Sequence, residues 1–172
     1  VNNIENPEWV EKNLPSILTL IPKIQGINED DIESFFGKLE DNGIYIVDDM
    51  LAIDNEYISL IKNSKYTDRC RLWVDPNTYR KLSDKNKKKI EGIKIFLDGG
   101  LGPETAATDG YISGKKGLLI YSDSELSKIL HFIQNEKTPT AVHSVGELGI
   151  AQLLNILVKE KINIPYIRIE HA

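Results

Sequence analysis

The stretch Ile93-Lys94-Ile95-Phe96-Leu97, followed directly by Asp98-Gly99-Gly100-Leu101-Gly102, decides how the chain is read. Its run of Ile, Phe and Leu predicts a strand buried on both faces, as in a parallel sheet. Gly99, Gly100, Gly102, Gly110, Gly114 and Gly117 then predict a long loop from Asp98 to Gly117, leaving the carboxyl end of that strand. Loops in that place commonly shape or cover an active site. Lys94 is the anomaly inside the strand. A buried lysine is costly as a cation, and burial lowers its pKa until the neutral amine is available for chemistry. Two other readings stand beside this one: the side chain snorkels to water, or it pairs with Asp98 on the same strand face.

Helix and strand alternate outward from this point. Upstream, Asn28 caps a helix with Glu29, Asp30 and Asp31 in its first turn and Ile32, Phe35, Phe36 and Leu39 at helical spacing, closed by Asn42-Gly43. Ile44-Tyr45-Ile46-Val47 then predicts a strand whose carboxyl end is marked by Asp48-Asp49. Asn55 to Ile61 predicts a short helix before the strand Cys70 to Val74, and Asp84 to Glu91 a basic helix before Ile93. Downstream, Leu118 to Tyr121 adds a short extra strand, and the helices Ser122 to Asn135 and Glu147 to Glu160 precede the strands Thr140 to Val142 and Tyr166 to Glu170.

Strand starts at about 44, 70, 93, 140 and 166 give steps of 26, 23, 47 and 26 residues. Three of these match the ~30-residue βα unit of a (β/α)8 barrel, and the long step holds the glycine-rich loop. The expectation is an α/β fold: a partial (β/α)8 TIM-type barrel of about five parallel strands with outer helices, over residues 28–172. Residues 1–27 form a separate segment in which Pro15 and Pro22 interrupt the apolar residues from Trp9 to Ile21, predicting short helices or turns. The ending Arg168-Ile169-Glu170-His171-Ala172 places a histidine where a strand should stop, so the chain is expected to be a segment of a larger enzyme.

Composition narrows the function classes. With 41% hydrophobic residues and a formal charge of -5, the chain builds a core and is a poor match for a polyanion such as nucleic acid. No apolar stretch approaches the ~20 residues that span a bilayer, and Val1 to Glu11 lacks the basic, apolar character of a signal segment. Cys70, alone and flanked by apolar residues, predicts a buried reduced thiol and a cytoplasmic setting. The lysines between Lys85 and Lys89 predict a solvated helix face, and His131, mid-helix beside Phe132, a structural histidine.

His143, after Thr140-Ala141-Val142, and His171 join Lys94 at or near the carboxyl ends of consecutive strands. Neighbouring strand ends lie close enough to share a metal ion, and imidazole is a good ligand for zinc and similar ions. A histidine at a strand end is also an ordinary hydrogen-bonded structural residue, so the pair gains weight only from Lys94 beside it.

Three motifs then carry a family resemblance. KIFLDGGLGPETA (residues 94–106), AVHSVGE (141–147) and RIEHA (168–172) resemble, in order and spacing, signatures of the amidohydrolase family 3, or YtcJ-like, branch of the amidohydrolase superfamily. GIYIVDDM (43–50) and CRLWVD (70–75) resemble less specific strands of the same domain, extending the likeness over about residues 28 to 172. Gly100, Glu104 and Glu147-Leu148 depart from the family pattern at loop positions that select substrate. The resemblance implies a metal-dependent hydrolase acting on a small-molecule substrate at a carbon–nitrogen bond other than a peptide bond. Lys94 is implied to be a carboxylated lysine bridging two divalent ions, with zinc the implied metal, and His143 and His171 to be ligands of the second ion. The metals would activate a water to attack an amide or imide carbonyl. The family's His-x-His pair and strand-eight aspartate are expected outside residues 1–172, so this segment is expected to hold metal weakly. The competing expectation is a catalytically inactive half-barrel serving as a binding or assembly module. An inner sheet face expected to be apolar, together with open sheet edges, predicts a homo-oligomer.

Overall fold

The structure, a computed structural model, describes residues 6–172. Five parallel strands run in the order β1-β2-β3-β4-β5 with helices between them, a partial (β/α)8 TIM-type barrel as the strand spacing predicts. The chain divides into two compact units: Pro15–Gly92, and Ile93–Ala172 together with the start of the first helix up to Leu14.

That first helix, α1 (Pro7–Gln25), corrects the expectation of short pieces broken at Pro15 and Pro22. Each proline removes one N–H and leaves one carbonyl without its helical donor, a local loss that the helix tolerates over 19 residues. Among the described residues no helix is long and apolar enough to cross a membrane.

In the unit Pro15–Gly92, α2 (Glu29–Asp41) forms where the cap predicts it. The Asn28 side chain accepts from Asp31 N at 3.1 Å and the Asp31 carboxylate accepts from Asn28 N at 3.0 Å. Asn42 ends the helix and Gly43 turns the chain with φ 71°. The next strand is displaced from its expected place. Ile44, Tyr45 and Ile46 are exposed and outside the ladder, and β1 is Val47–Asp49, pairing with β2 (Cys70–Val74) from Val47↔Cys70. Arg69 is the cause: its Nε donates to Tyr45 O at 2.9 Å and its Nη2 to Ile44 O at 3.4 Å, so those carbonyls are already taken.

Arg69 is itself buried, paired with Glu40 and set over the rings of Phe36, Tyr45 and Tyr66. The same unit holds α3 (Asn55–Asn63), capped by Asp54, α4 (Pro76–Lys81), capped by Asp75, and α5 (Asp84–Lys87). α5 is shorter than the basic helix expected over residues 84–91, and α4 precedes it as a helix the sequence reading missed. Lys87 Nζ rests 4.6 Å from the centre of the Tyr79 ring, so it packs along a ring as well as facing solvent. Cys70 is a buried free thiol, pushed up to about 11 by burial and by the nearby Asp49 charge, which fits the inert thiol expected there.

In the unit beginning at Ile93, β3 (Gly92–Phe96) pairs with β4 (Thr140–His143), and β4 with β5 (Ile167–Glu170). The helices are α6 (Asp123–Glu136) and α7 (Glu147–Lys159). Ile93, Ile95, Val142, Leu126, Leu130, Ile133 and Leu153 are almost completely excluded from water and form its core. Ser122 and Glu125 close a reciprocal cap on α6. Leu118 to Tyr121 makes no strand: Leu118 N donates to Thr105 O at 3.1 Å and Ile120 N to Leu97 O at 2.8 Å, isolated bonds that carry the loop back without a ladder. His131 is a surface residue of α6 with Nε2 2.9 Å from Glu160 Oε2.

Arg69→Lys keeps the charge but loses the planar fork and its stacking. It is expected to destabilise the chain by about 1.5–3 kcal/mol, the usual range for hydrogen bonds to a charged group. Urea unfolding of the two proteins checks this, and equal midpoints would show that Arg69 does not hold the Ile44–Ile46 segment.

Candidate metal centre

Strand registry sorts the residues of β3, β4 and β5 into two rows. Lys94 pairs with Ala141, which pairs with Arg168; Phe96 pairs with His143, which pairs with Glu170. Partners in register point to the same side, so these six residues share one face. Ile93, Ile95, Thr140, Val142, Ile167 and Ile169 take the other. The first face was expected to be apolar; it carries two cations, a carboxylate and an imidazole. The alternation Ile167-Arg168-Ile169-Glu170 was the available signal, and a period of two separates the Arg168–Glu170 ion pair from its apolar neighbours.

His143 ends β4 and His171 follows β5. Their ring centres lie 4.8 Å apart with planes inclined at 64°. His171 has φ 69°, in the left-handed region that non-glycine residues seldom occupy. Simple alternation would turn it away from the side that Glu170 faces; the reversed φ breaks the alternation and lets the ring meet His143. Lys94 lies one pleat lower, 3% exposed, with Nζ 5.1 Å from the centre of the Phe96 ring, and Phe96 in turn lies 5.3 Å from His143. Of the three site residues predicted from sequence, Lys94 thus lies in the middle of β3, His143 at the end of β4 and His171 just past β5, with the two imidazoles in contact and the lysine connected to them through Phe96.

Burial lowers the Lys94 pKa to about 8; the Glu170 charge acts against that shift and the Arg168 charge with it. Pairing with Asp98, one of the alternatives open from sequence, is not found among the described residues. Asp98 is 1% exposed, and its carboxylate accepts from Ala107 N at 3.1 Å, Val145 N at 2.9 Å and Gly146 N at 2.6 Å. These donors are main-chain groups, so no residue type betrays them in the sequence.

His143 Nε2 lies 3.0 Å from Gly99 O and 3.8 Å from Asp98 Oδ1. A carbonyl oxygen only accepts, so in the neutral ring Nε2 carries the proton and Nδ1 carries the lone pair. Among the described residues no group of three or more His, Cys, Asp and Glu side chains is arranged to hold a metal ion. The donor chemistry nevertheless fits part of such a centre: one imidazole with a free Nδ1, a second in ring contact with it, and a buried amine that loses its proton near pH 8.

No family model matches the chain, and no curated protein does. Two solved structures match its fold. One, described as an uncharacterized metal-dependent hydrolase from Pyrococcus furiosus, aligns with TM-score 0.63 and 20% identity over 83% of this chain and 34% of that one. The other, described in the same words and from Pyrococcus horikoshii OT3, aligns with TM-score 0.57 and 20% identity over 72% of this chain and 28% of that one. The likeness is one of fold, and this chain spans about a third of the length of each.

Lys94 ties stability to pH with a definite sign. The folded chain releases this proton near pH 8 and the unfolded chain near the ordinary 10.5, so between those values the unfolded state binds more protons. Stability relative to Lys94→Met is expected to rise with pH across that window, the cost of the buried cation being present in full below it. Urea midpoints for both proteins between pH 6 and pH 10 give the test, and parallel curves would show that Lys94 is not desolvated.

Proposed function

We propose that this chain is part of a metal-dependent hydrolase that cleaves a carbon–nitrogen bond other than a peptide bond, in a small-molecule amide or imide. His143 and His171 hold a divalent ion, zinc being the candidate, and Lys94 serves as a carboxylated lysine beside it. The observation that carries this reading is the imidazole pair, 4.8 Å apart, on the face that also buries Lys94. The likeness in fold to two proteins described as metal-dependent hydrolases and the three sequence motifs support it.

When bound, the metal supplies a Lewis acid that polarises the substrate carbonyl and lowers the pKa of water. The chain's own residues prepare for that chemistry. His143 offers Nδ1 because its Nε2 proton is engaged by Gly99 O. His171 brings a second imidazole through its reversed backbone. Lys94 holds a neutral amine above about pH 8, and this amine adds to carbon dioxide and loses a proton to give a carbamate anion with two donor oxygens. Phe96 sets its ring 5.1 Å from that amine. The reduced thiol of Cys70 supports a cytoplasmic setting.

Titration of the 172-residue chain with cobalt(II), followed by visible absorption, is expected to show weak binding that bicarbonate strengthens at pH 8. His143→Ala and His171→Ala should each weaken it by roughly tenfold or more, on the scale of losing a group that a metal site depends on. Lys94→Ala should remove the bicarbonate effect alone. Binding that survives both histidine substitutions would overturn the site.

The exposed Phe35, Ile44, Tyr45 and Ile46 support a second proposal, a homo-oligomer in which a further copy covers them. Sedimentation at micromolar concentration is expected to give a mass above 19.4 kDa, and a monomer would refute it.

A further inference from the structure

We propose that Asp98 is a positioning residue for His143: by gathering three main-chain donors from two loops it fixes the Gly99 carbonyl that sets the orientation and tautomer of the imidazole. The proposal rests on the metal-centre reading for its purpose, though not for its geometry.

Asp98 stands at the junction of the glycine-rich loop and the turn after β4. One donor, Ala107 N, belongs to the first; Val145 N and Gly146 N belong to the second. The carboxylate therefore ties the start of the loop both to its own later part and to the turn that follows His143. Gly99, the next residue, then aims its carbonyl at His143 Nε2 from 3.0 Å.

The surroundings leave this arrangement little freedom. A Cβ on Gly99 would lie 2.0 Å from Thr105 Oγ1, and one on Gly146 would lie 2.2 Å from Ala107 O. Thr105 Oγ1 donates to Glu11 Oε1 at 2.7 Å and accepts from Gly100 N at 3.1 Å, which secures the residue after Gly99 as well. A Cβ on Gly149 would approach Ser144 Oγ to 2.4 Å and Asp98 Oδ2 to 3.4 Å, so the first turn of α7 also leaves space beside the carboxylate.

Two acceptors converge on one imidazole nitrogen: Gly99 O at hydrogen-bond distance and Asp98 Oδ1 at 3.8 Å. Both favour the proton on Nε2, and the second does so by charge alone. An asparagine at residue 98 has the same shape, but its amide turns two N–H groups toward the main-chain donors, so at most one oxygen still accepts. The clamp then loosens, and Gly99 O no longer has a fixed direction.

The test uses metal-free protein first. Long-range proton–nitrogen NMR of wild type at pH 8 is expected to show His143 protonated at Nε2, with a slowly exchanging Hε2 signal that His143→Ala removes. Asp98→Asn should lose that signal. Ser113→Ala removes a different bond of the same loop, from Ser113 Oγ to Glu104 Oε2 at 2.9 Å, without touching Asp98; it should keep the signal. Cobalt affinity should fall roughly 10–100-fold in Asp98→Asn, the usual loss when a partner of a ligand is removed, and by less than twofold in Ser113→Ala.

Wild type protonated at Nδ1 would overturn the proposal without recourse to any variant, as would an unchanged Hε2 signal in Asp98→Asn. If wild type shows the expected signal but binds no cobalt, the metal reading fails and the orienting role of Asp98 stands.

Discussion

The buried carboxylate of Asp98, accepting from Ala107, Val145 and Gly146 main-chain N–H groups, is the constraint on which the candidate site depends. A carboxylate removed from water loses strong hydration, and only well-directed donors offset that loss. The three N–H groups would themselves be orphaned in the interior without an acceptor, so donors and acceptor satisfy one another. Because the donors come from segments far apart in sequence, the local bonds have a long-range result: a glycine-rich loop with few apolar anchors of its own is held in one place. Thr105, bonded to Gly100 N and to Glu11, secures the same loop from its other side.

Strand geometry then divides the labour among side chains. In β3, β4 and β5, one row packs into the core and the other carries Lys94, His143, Arg168 and Glu170. The division explains how a lysine can be 3% exposed inside a strand whose neighbours are Ile93 and Ile95. It faces away from them, and its charge is felt by Glu170 and Arg168 two strands over. His171 lies outside this regular pattern, and a left-handed φ of 69° restores its ring to the side where His143 lies. Backbone conformations of that kind carry an energetic cost and persist where surrounding structure enforces them.

Much of the fold was legible because apolar runs and helix caps act locally. Asn28 announces α2, and the strands Cys70–Val74 and Gly92–Phe96 fall within a residue of their expected bounds. The misplacement of β1 has a tertiary origin. Ile44-Tyr45-Ile46 has strong strand character, yet a guanidinium more than twenty residues away captures its carbonyls, which no local pattern could reveal. The continuity of α1 through Pro15 and Pro22 likewise overrides a local rule. Lys94, His143 and His171 stood out as residue types unusual for their places in the strands. Asp98 was visible only as a possible partner of Lys94, because its actual partners are peptide N–H groups that every residue but proline possesses.

The two-row division of β3, β4 and β5 has a consequence for how such a protein can change over generations. Residues of the apolar row, which keep the sheet folded, and residues of the polar row alternate along the same backbone and point to opposite faces, so selection can act on each set with little penalty from the other. The loop from Asp98 to Gly117 extends this independence. Held at Asp98 by Ala107 and packed closely at Gly117, the loop leaves its exposed residues free to diversify on a fixed scaffold.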